Sequence, residues 1–200
     1  MASVYLVRHG ESEWNVRRLT QGQTSHPPLT DAGRQQARAA TAIIATDLAD
    51  RRERLERLVT SDLARAVETA AIISDLLGVV AHLDPRLREQ GLGRLEGRGY
   101  DETWVLAEKH DWSDPTVPMA GGESVAALHT RIAAALGEVV TGATTALVSH
   151  GDAIRAALAQ IGGMDPAAAP WVPVPNGGVF RVDAGGGWEQ LAQPDERLRR

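Results

Sequence analysis

Two short apolar segments that each end in His-Gly constrain this chain more than any other feature. Val4–Val7 leads into Arg8-His9-Gly10, and Ala146–Val148 leads into Ser149-His150-Gly151. Short apolar segments alternate with longer helical ones along the chain, which is typical of α/β proteins. Because open α/β sheets bind ligands at the carboxyl ends of their strands, we expect both imidazoles at a ligand-binding edge.

The spacing of apolar and turn-forming residues predicts the order of the elements. Thr30 is a candidate N-cap for the first long helix and Ser61 or Asp62 for the second, which Gly78 would stop. Asn176-Gly177 indicates a hairpin turn. The predicted strands lie at residues 3–8, 58–60, 79–82, 144–149, 179–182 and 188–191. Further helices are predicted at residues 101–110, 122–140 and 152–161.

The composition limits the classes of protein to which the chain can belong. Two hundred residues, 43% of them hydrophobic, suit one domain over residues 1–200 with a sizeable core. A net charge of −5 argues against nucleic acid as the main partner, and without cysteine there is no disulfide or thiol nucleophile. No signal peptide or long apolar run is found, so we expect a cytoplasmic protein without a membrane partner. Residues 195–200 are expected to form a polar tail.

The residue types in the two His-Gly segments suit phosphoryl transfer. An imidazole can attack phosphorus as a nucleophile, and a guanidinium can bind phosphoryl oxygens in bidentate fashion. Glycine allows a tight turn or a close approach of the backbone to a ligand. An acidic chain that binds an anionic phosphoester must concentrate its positive charge locally, and Arg8, Arg65 and the two histidines would do so.

Four motifs, taken together and in order, resemble a known family. They are Leu6–Asn15, Ser61–Ala66 with Glu68–Ala70, Arg88-Glu89, and Ser149–Gly151. Over residues 3–180 the chain is similar to the histidine phosphatase superfamily, which includes the cofactor-dependent phosphoglycerate mutases and many small phosphatases. The resemblance implies a three-layer α/β/α fold with a mostly parallel central sheet.

The resemblance also implies roles for the charged residues of the motifs. His9 would be the nucleophile that forms a phosphohistidine, and Arg8 and Arg65 would bind the phosphoryl oxygens. The two guanidiniums would help to keep His9 neutral. His150 would contact the phosphoryl group opposite His9 as a charged donor. For Arg65 the alternative is an ion pair with Glu68 on the same helix face.

Glu89 is the candidate general acid, which would protonate the leaving alkoxide and then activate water as a base. One alternative is a surface Glu89 paired with Arg86 or Arg88. A second is that Asp152 is the acid, because some branches of the superfamily take it from the segment after the second histidine.

The remaining candidate phosphate- or substrate-binding residues are Asn15, Gln21, Gly22 and Gly151. Asn15 would donate its side-chain amide to the phosphate, and its alternative role is to form a turn. No motif in the sequence implies a metal site, the resemblance implies a chemistry that needs no metal, and we expect no cofactor.

Three positions bear on the choice between hydrolysis and transfer. Gln90, Leu92 and Tyr100 stand where glycolytic mutases hold the substrate's further charged groups. Without those contacts a phosphoenzyme loses its phosphate to water, so we expect a phosphomonoesterase acting on a small phosphorylated metabolite. A cofactor-dependent phosphoglycerate mutase is the main alternative. A phosphoprotein phosphatase and a non-catalytic module that binds a phosphorylated ligand are the others.

Residues 100–122 are the candidate cap over the active site. Trp14, Trp104, Trp112 and Met119 would either line the pocket or pack elsewhere, and the sequence does not distinguish these options. The natural substrate and the oligomeric state are also left open, with a homodimer among the states allowed.

Overall fold

A six-stranded, mostly parallel sheet forms the centre of the computed structural model, which describes residues 2–139, 142–166, 168–183 and 186–191. The strands are β1 (Val4–Arg8), β2 (Arg57–Thr60), β3 (Ala81–Leu83), β4 (Thr145–Ser149), β5 (Val179–Val182) and β6 (Trp188–Gln190). Their spatial order is β3-β2-β4-β1-β5-β6. The first four strands run parallel, β5 is antiparallel to β1, and β6 is antiparallel to β5.

Helices connect the strands and cover both faces of the sheet. They are α1 (Glu13–Val16), α2 (Asp31–Arg51), α3 (Ala64–Leu77), α4 (Tyr100–Ala107), α5 (Val125–Val139) and α6 (Gly151–Ile161). Short 3-10 turns occur at Pro85–Leu87, Gly93–Leu95 and Met119–Gly121. None of the helices within the described ranges is both long and apolar enough to cross a membrane.

Alternating side chains of the strands divide the core between the two faces. Val4 and Leu6 of β1 join a cluster with α5 and α6, whereas Tyr5 and Val7 join a cluster with α2 and α3. This alternation follows from the two-residue period of a strand, and the helices bury their apolar stripes on each side. The result is the expected three-layer α/β/α arrangement.

Local sequence signals predicted several helix ends correctly. Thr30 caps α2, since its side chain accepts a hydrogen bond from the N–H of Gly33. Gly78 ends α3 in the left-handed conformation, at φ +70°. Gly10 lies so close to α2 that a Cβ on it would be 2.1 Å from the carbonyl oxygen of Gly33. This glycine therefore serves the approach of two backbone segments.

Other boundaries differ from the expectation. Leu63 is the N-cap of α3 and makes no side-chain cap bond, so the assignment to Ser61 or Asp62 was wrong. The third strand begins at Ala81 instead of residue 79. Asn176-Gly177 forms a turn, but no hairpin, because β5 after it pairs with β1 and β6. The predicted tail, residues 195–200, lies outside the described residues.

Candidate active site

Three neighbouring strands end at the same edge of the sheet and bring both histidines together. Since β4 lies between β1 and β2, His9, His150 and Ser61 leave adjacent strand ends side by side. The ring centroids of His9 and His150 are 5.1 Å apart. The structure thus places both predicted imidazoles at the edge where ligands of open α/β sheets bind.

The surroundings of His9 fix its tautomer and its charge. Its Nδ1 lies 2.6 Å from the carbonyl oxygen of Gly10, which can only accept, so Nδ1 carries the hydrogen and Nε2 keeps its lone pair. Burial, followed by the charges of Arg65 and Arg8, lowers the pKa of His9 well below its usual value. A neutral imidazole with a free Nε2 lone pair has the form that a nucleophile requires.

Two arginines flank the histidine pair. Arg65 is almost fully buried at the second position of α3 and donates to the carbonyl oxygens of Thr24 and Gly22, both at 2.9 Å. Arg8 donates to the carbonyl oxygen of Val174. Within the described part of the chain, the buried Nε atoms of both arginines have no hydrogen-bond partner. Buried donors normally have a partner, so these two are available to an anion at the site.

The alternative ion pair between Arg65 and Glu68 is not formed. Glu68 instead contacts Arg34 at 3.4 Å. Burial is the largest influence on Arg65 and lowers its pKa to about 10, while the nearby Glu89 opposes this shift. The guanidinium therefore remains charged at neutral pH.

The surroundings of His150 disfavour a positive charge on its ring. Burial, then the charges of Arg65, His9 and Arg8, lowers its pKa well below the usual value, so its role as a charged donor to a phosphoryl group stays a prediction. Its Nε2 lies 2.9 Å from the Ser61 hydroxyl oxygen, and its buried Nδ1 has no partner among the described residues. A neutral ring still supplies one N–H donor, so a hydrogen bond from His150 to an anion does not require a charged ring.

Glu89 lies at the N-terminus of α6, beside the same cluster. Its Oε1 accepts from the backbone N–H groups of Gln90, Asp152 and Ala153 at 3.0 to 3.2 Å. Burial and then the charge of Asp152 raise its pKa, against the lowering effect of the backbone bond and the arginines. The carboxyl group therefore holds its proton to higher pH than an exposed glutamate would.

The alternative in which Glu89 pairs with a neighbouring arginine is excluded by the contacts of those arginines. Arg86 contacts Asp84 and Glu138, and Arg88 contacts Asp62. Asp152, the other candidate acid, is partly exposed and forms an ion pair with Arg155 at 2.6 Å. Glu89, in contrast, is buried against the start of α6, and its pKa is raised.

The predicted substrate-binding residues lie near the cluster but are engaged in structural contacts. Asn15 forms a capping box with Ser12, and its amide nitrogen lies 3.5 Å from the Tyr100 hydroxyl. Gln21 accepts from the Ser12 hydroxyl at 2.8 Å. Gly22 adopts φ +48° and offers its carbonyl oxygen to Arg65. Their role in binding a phosphate stays a prediction.

The residues of the candidate cap, 100–122, are placed unequally. Tyr100 approaches the site through Asn15, whereas Met119 is buried with Leu95 and Ala107 in a separate apolar cluster. Trp104 and Trp112 are exposed, and Trp14 packs edge-on against His26. Among the described residues, no group of three or more His, Asp or Glu side chains could hold a metal ion.

Arg155 lies at the same edge, although no sequence motif predicted it. A Cβ added to Gly151 would be 3.4 Å from Nη1 of Arg155, 3.6 Å from Oε2 of Glu89 and 3.8 Å from Cζ of Arg8. Arg155 follows Gly151 by four residues on α6, and residues at that spacing share a helix face. This spacing was the signal that could have found it.

Comparisons with known proteins agree with this geometry. The family model described as histidine phosphatase superfamily, branch 1, matches residues 4–195. A curated relative from Enterobacter sp. (strain 638), named probable phosphoglycerate mutase GpmB, is 38% identical and is matched over 92% of this chain and 85% of its own length. Two further relatives are solved structures of phosphatases.

A mycobacterial glucosyl-3-phosphoglycerate phosphatase superposes with a TM-score of 0.79 at 27% identity, over 95% of this chain and 97% of that one. A phosphoserine phosphatase from Entamoeba histolytica gives a TM-score of 0.76 at 25% identity, over 95% of each chain. With its matched motifs, strand order and family model, the chain belongs to branch 1 of the histidine phosphatase superfamily.

Proposed function

We propose that this protein is a phosphomonoesterase that hydrolyses a small phosphorylated metabolite through a phosphohistidine on His9. The observation that carries this proposal is the arrangement at one sheet edge of a neutral His9 between two guanidiniums, with the protonatable Glu89 beside them. Nucleophile, charge stabilisation and proton donor are the three parts that phosphoryl transfer requires. The phosphatases among the structural relatives support the same reaction class.

In the first step, Nε2 of His9 attacks phosphorus while the bond from phosphorus to the ester oxygen breaks. Arg8 and Arg65 neutralise the charge on the equatorial oxygens, and the N–H of His150 orients the group. Glu89 gives its proton to the leaving oxygen, so the alcohol departs neutral. The products of this step are the free alcohol, an ionised Glu89 and phosphohistidine.

In the second step, the ionised Glu89 takes a proton from a water molecule whose oxygen attacks phosphorus. The bond between phosphorus and Nε2 breaks, and the electron pair returns to the imidazole. Inorganic phosphate leaves, and Glu89 and His9 regain their starting protonation states. The backbone N–H groups at the start of α6 stabilise the Glu89 carboxylate between the two steps.

The test of this proposal is the behaviour of the His9→Ala variant. The unsubstituted enzyme should hydrolyse p-nitrophenyl phosphate without added metal and, after rapid quenching, retain an acid-labile, base-stable phosphoryl label. The variant should lose the label and at least about a thousandfold in kcat, while its circular dichroism spectrum and melting temperature show an intact fold. A label that persists in His9→Ala would overturn the assignment of the nucleophile.

Phosphoglycerate mutase activity is the second candidate, because the curated relatives at 36–38% identity carry that name. In a mutase the phosphoryl group of the same phosphohistidine passes to an acceptor hydroxyl instead of to water. The uncharged side chains of Gln90, Leu92 and Tyr100 favour hydrolysis, because they offer no cation to hold the further charged groups of an acceptor.

A further inference from the structure

Arg155 is a third guanidinium at the active-site edge, and the reaction outlined above does not use it. Three atoms lie within 4 Å of the position that a Cβ on Gly151 would occupy: Nη1 of Arg155, Oε2 of Glu89 and Cζ of Arg8. The charge of Arg155 also contributes to lowering the pKa of Arg8. Glu89 marks the side on which the leaving alcohol departs, so Arg155 borders the space for that alcohol.

The Arg155 side chain is held in place from three directions. Nε donates to the carbonyl oxygen of Val172 at 2.8 Å, and Nη1 donates to Asp152 at 2.6 Å. The guanidinium carbon lies 4.8 Å from the ring centroid of Trp171, a residue that is 71% exposed. A guanidinium fixed in this way has already lost most of its rotamer freedom, which favours binding by a preorganised group.

We propose that Arg155 binds a carboxylate on the leaving group of the substrate. The guanidinium fork matches a carboxylate in bidentate geometry, and its present ion pair with Asp152 shows that a carboxylate fits against it. A single guanidinium balances a monoanion, whereas a second phosphate dianion would require more positive charge. This inference rests on the proposed function and narrows it to carboxylated phosphomonoesters.

Asp152 competes for Arg155 in this arrangement. The Asp152 side chain is 44% exposed, so it can turn into solvent when a substrate carboxylate takes its place. Two substitutions at this pair should therefore have opposite effects on recognition of a carboxylate. Removal of the Arg155 guanidinium should weaken binding of a substrate carboxylate, and removal of the Asp152 charge should strengthen it.

The experiment measures binding in the His9→Ala background, where no turnover occurs. Two probes are compared by isothermal titration calorimetry: 3-phosphoglycerate, and glycerol 3-phosphate, in which a hydroxymethyl group replaces the carboxylate. Asp152→Asn should raise the preference for 3-phosphoglycerate, and Arg155→Met should lower it about tenfold. Arg155→Lys keeps the charge without the guanidinium fork, so its preference for 3-phosphoglycerate should lie between that of Arg155→Met and that of His9→Ala alone. Arg51→Met, which removes a partly buried arginine paired with Asp183, is the matched control and should leave the preference unchanged.

An unchanged preference for 3-phosphoglycerate in Arg155→Met would overturn the subsite. A fully retained preference in Arg155→Lys would also overturn it, because the positive charge alone, without a bidentate contact, would then explain the preference. Should Arg155→Met fail to fold, an Asp152→Asn variant with no gain in preference would overturn it equally. The binding measurement is independent of hydrolysis. An enzyme that binds with the predicted preference but forms no phosphohistidine would refute the proposed function and leave the subsite standing.

Discussion

At the scale of single residues, the two carboxyl groups beside the site differ in what surrounds them. Glu89 is held at the start of α6, where burial and the charge of Asp152 raise its pKa. Asp152 is partly exposed and paired with Arg155. A buried carboxyl group with a raised pKa is suited to act as a general acid, whereas the Asp152 carboxylate is engaged by the Arg155 guanidinium.

We therefore expect Glu89→Gln to impair the enzyme according to the leaving group. Loss of the proton donor should lower kcat/KM for an alkyl phosphate by about a hundredfold or more and affect p-nitrophenyl phosphate far less, because nitrophenolate needs little protonation. At a pH below the alkaline limb of the rate profile, Asp152→Asn should lower both rates modestly and about equally. Steady-state kinetics with both substrates checks this. A leaving-group dependence found in Asp152→Asn, and absent from Glu89→Gln, would show that the acid is misassigned.

The same assignment predicts how the rate depends on pH. Glu89 must be protonated in the first step, so the rate with an alkyl phosphate should fall as pH rises through the raised pKa of Glu89. Asp152→Asn removes the negative charge that contributes to raising this pKa, so the alkaline limb of the pH profile should move to lower pH. A limb that stays in place would contradict the coupling between the two groups.

At the scale of elements, the sequence predicted most of what depends on local signals. The apolar strands, the Thr30 cap and the Gly78 stop follow from neighbouring residues, and the strand-end histidines follow from strand topology. The missed features depend on long-range contacts instead. Leu63 caps α3 without a side-chain bond, and the Ser61 hydroxyl lies against His150, a partner 89 residues away. No local pattern reveals such a partner.

Arg131 shows how a distant residue supports the site. From α5 it donates to the carbonyl oxygens of Arg86, Arg88 and Glu89 at 2.7 to 2.8 Å. The same guanidinium contacts both carboxylate oxygens of Glu123. The backbone on either side of the proposed acid is therefore fixed by one arginine, which acts as a positioning residue.

Substitution of Arg131 by methionine should disturb the placement of Glu89 as well as stability. Unpairing the largely buried Glu123 and three carbonyls should cost about 2 to 4 kcal/mol in the free energy of unfolding. The alkyl phosphate rate should fall more than the p-nitrophenyl phosphate rate, as for Glu89→Gln. Urea denaturation and kinetics with both substrates provide the measurements.

Arg86→Met is the matched control for Arg131→Met. Arg86 lies in the segment whose carbonyl oxygens Arg131 contacts, but its own side chain pairs with Asp84 and Glu138. It should lower stability without the leaving-group dependence. Equal losses for both substrates in Arg131→Met would reduce Arg131 to a purely structural role.

At the scale of the whole molecule, three arginines of an acidic chain lie where parallel strands of the sheet end. The net charge is −5, yet Arg8, Arg65 and Arg155 meet at one edge of the sheet. A local group of positive charges on an acidic chain is the arrangement that we expect to attract an anionic phosphoester. In the proposed reaction this edge binds one phosphoryl group, and the fate of that group depends on how firmly an acceptor is held.

Transfer to a second alcohol requires that the acceptor be held better than water, and two of the three candidate acceptor positions are committed to the fold. Gln90 is buried and donates to the carbonyl oxygen of Glu123, while Leu92 packs against the Leu95 cluster. We expect the interconversion of 2- and 3-phosphoglycerate, primed with bisphosphoglycerate, to be at least about tenfold slower than hydrolysis of the best monoester. A coupled assay of both reactions on one preparation checks this, and His9→Ala must abolish both if no contaminating mutase is present. Mutase turnover that matches or exceeds hydrolysis would establish that phosphohistidine in this protein passes its phosphate to an alcohol despite the missing charges.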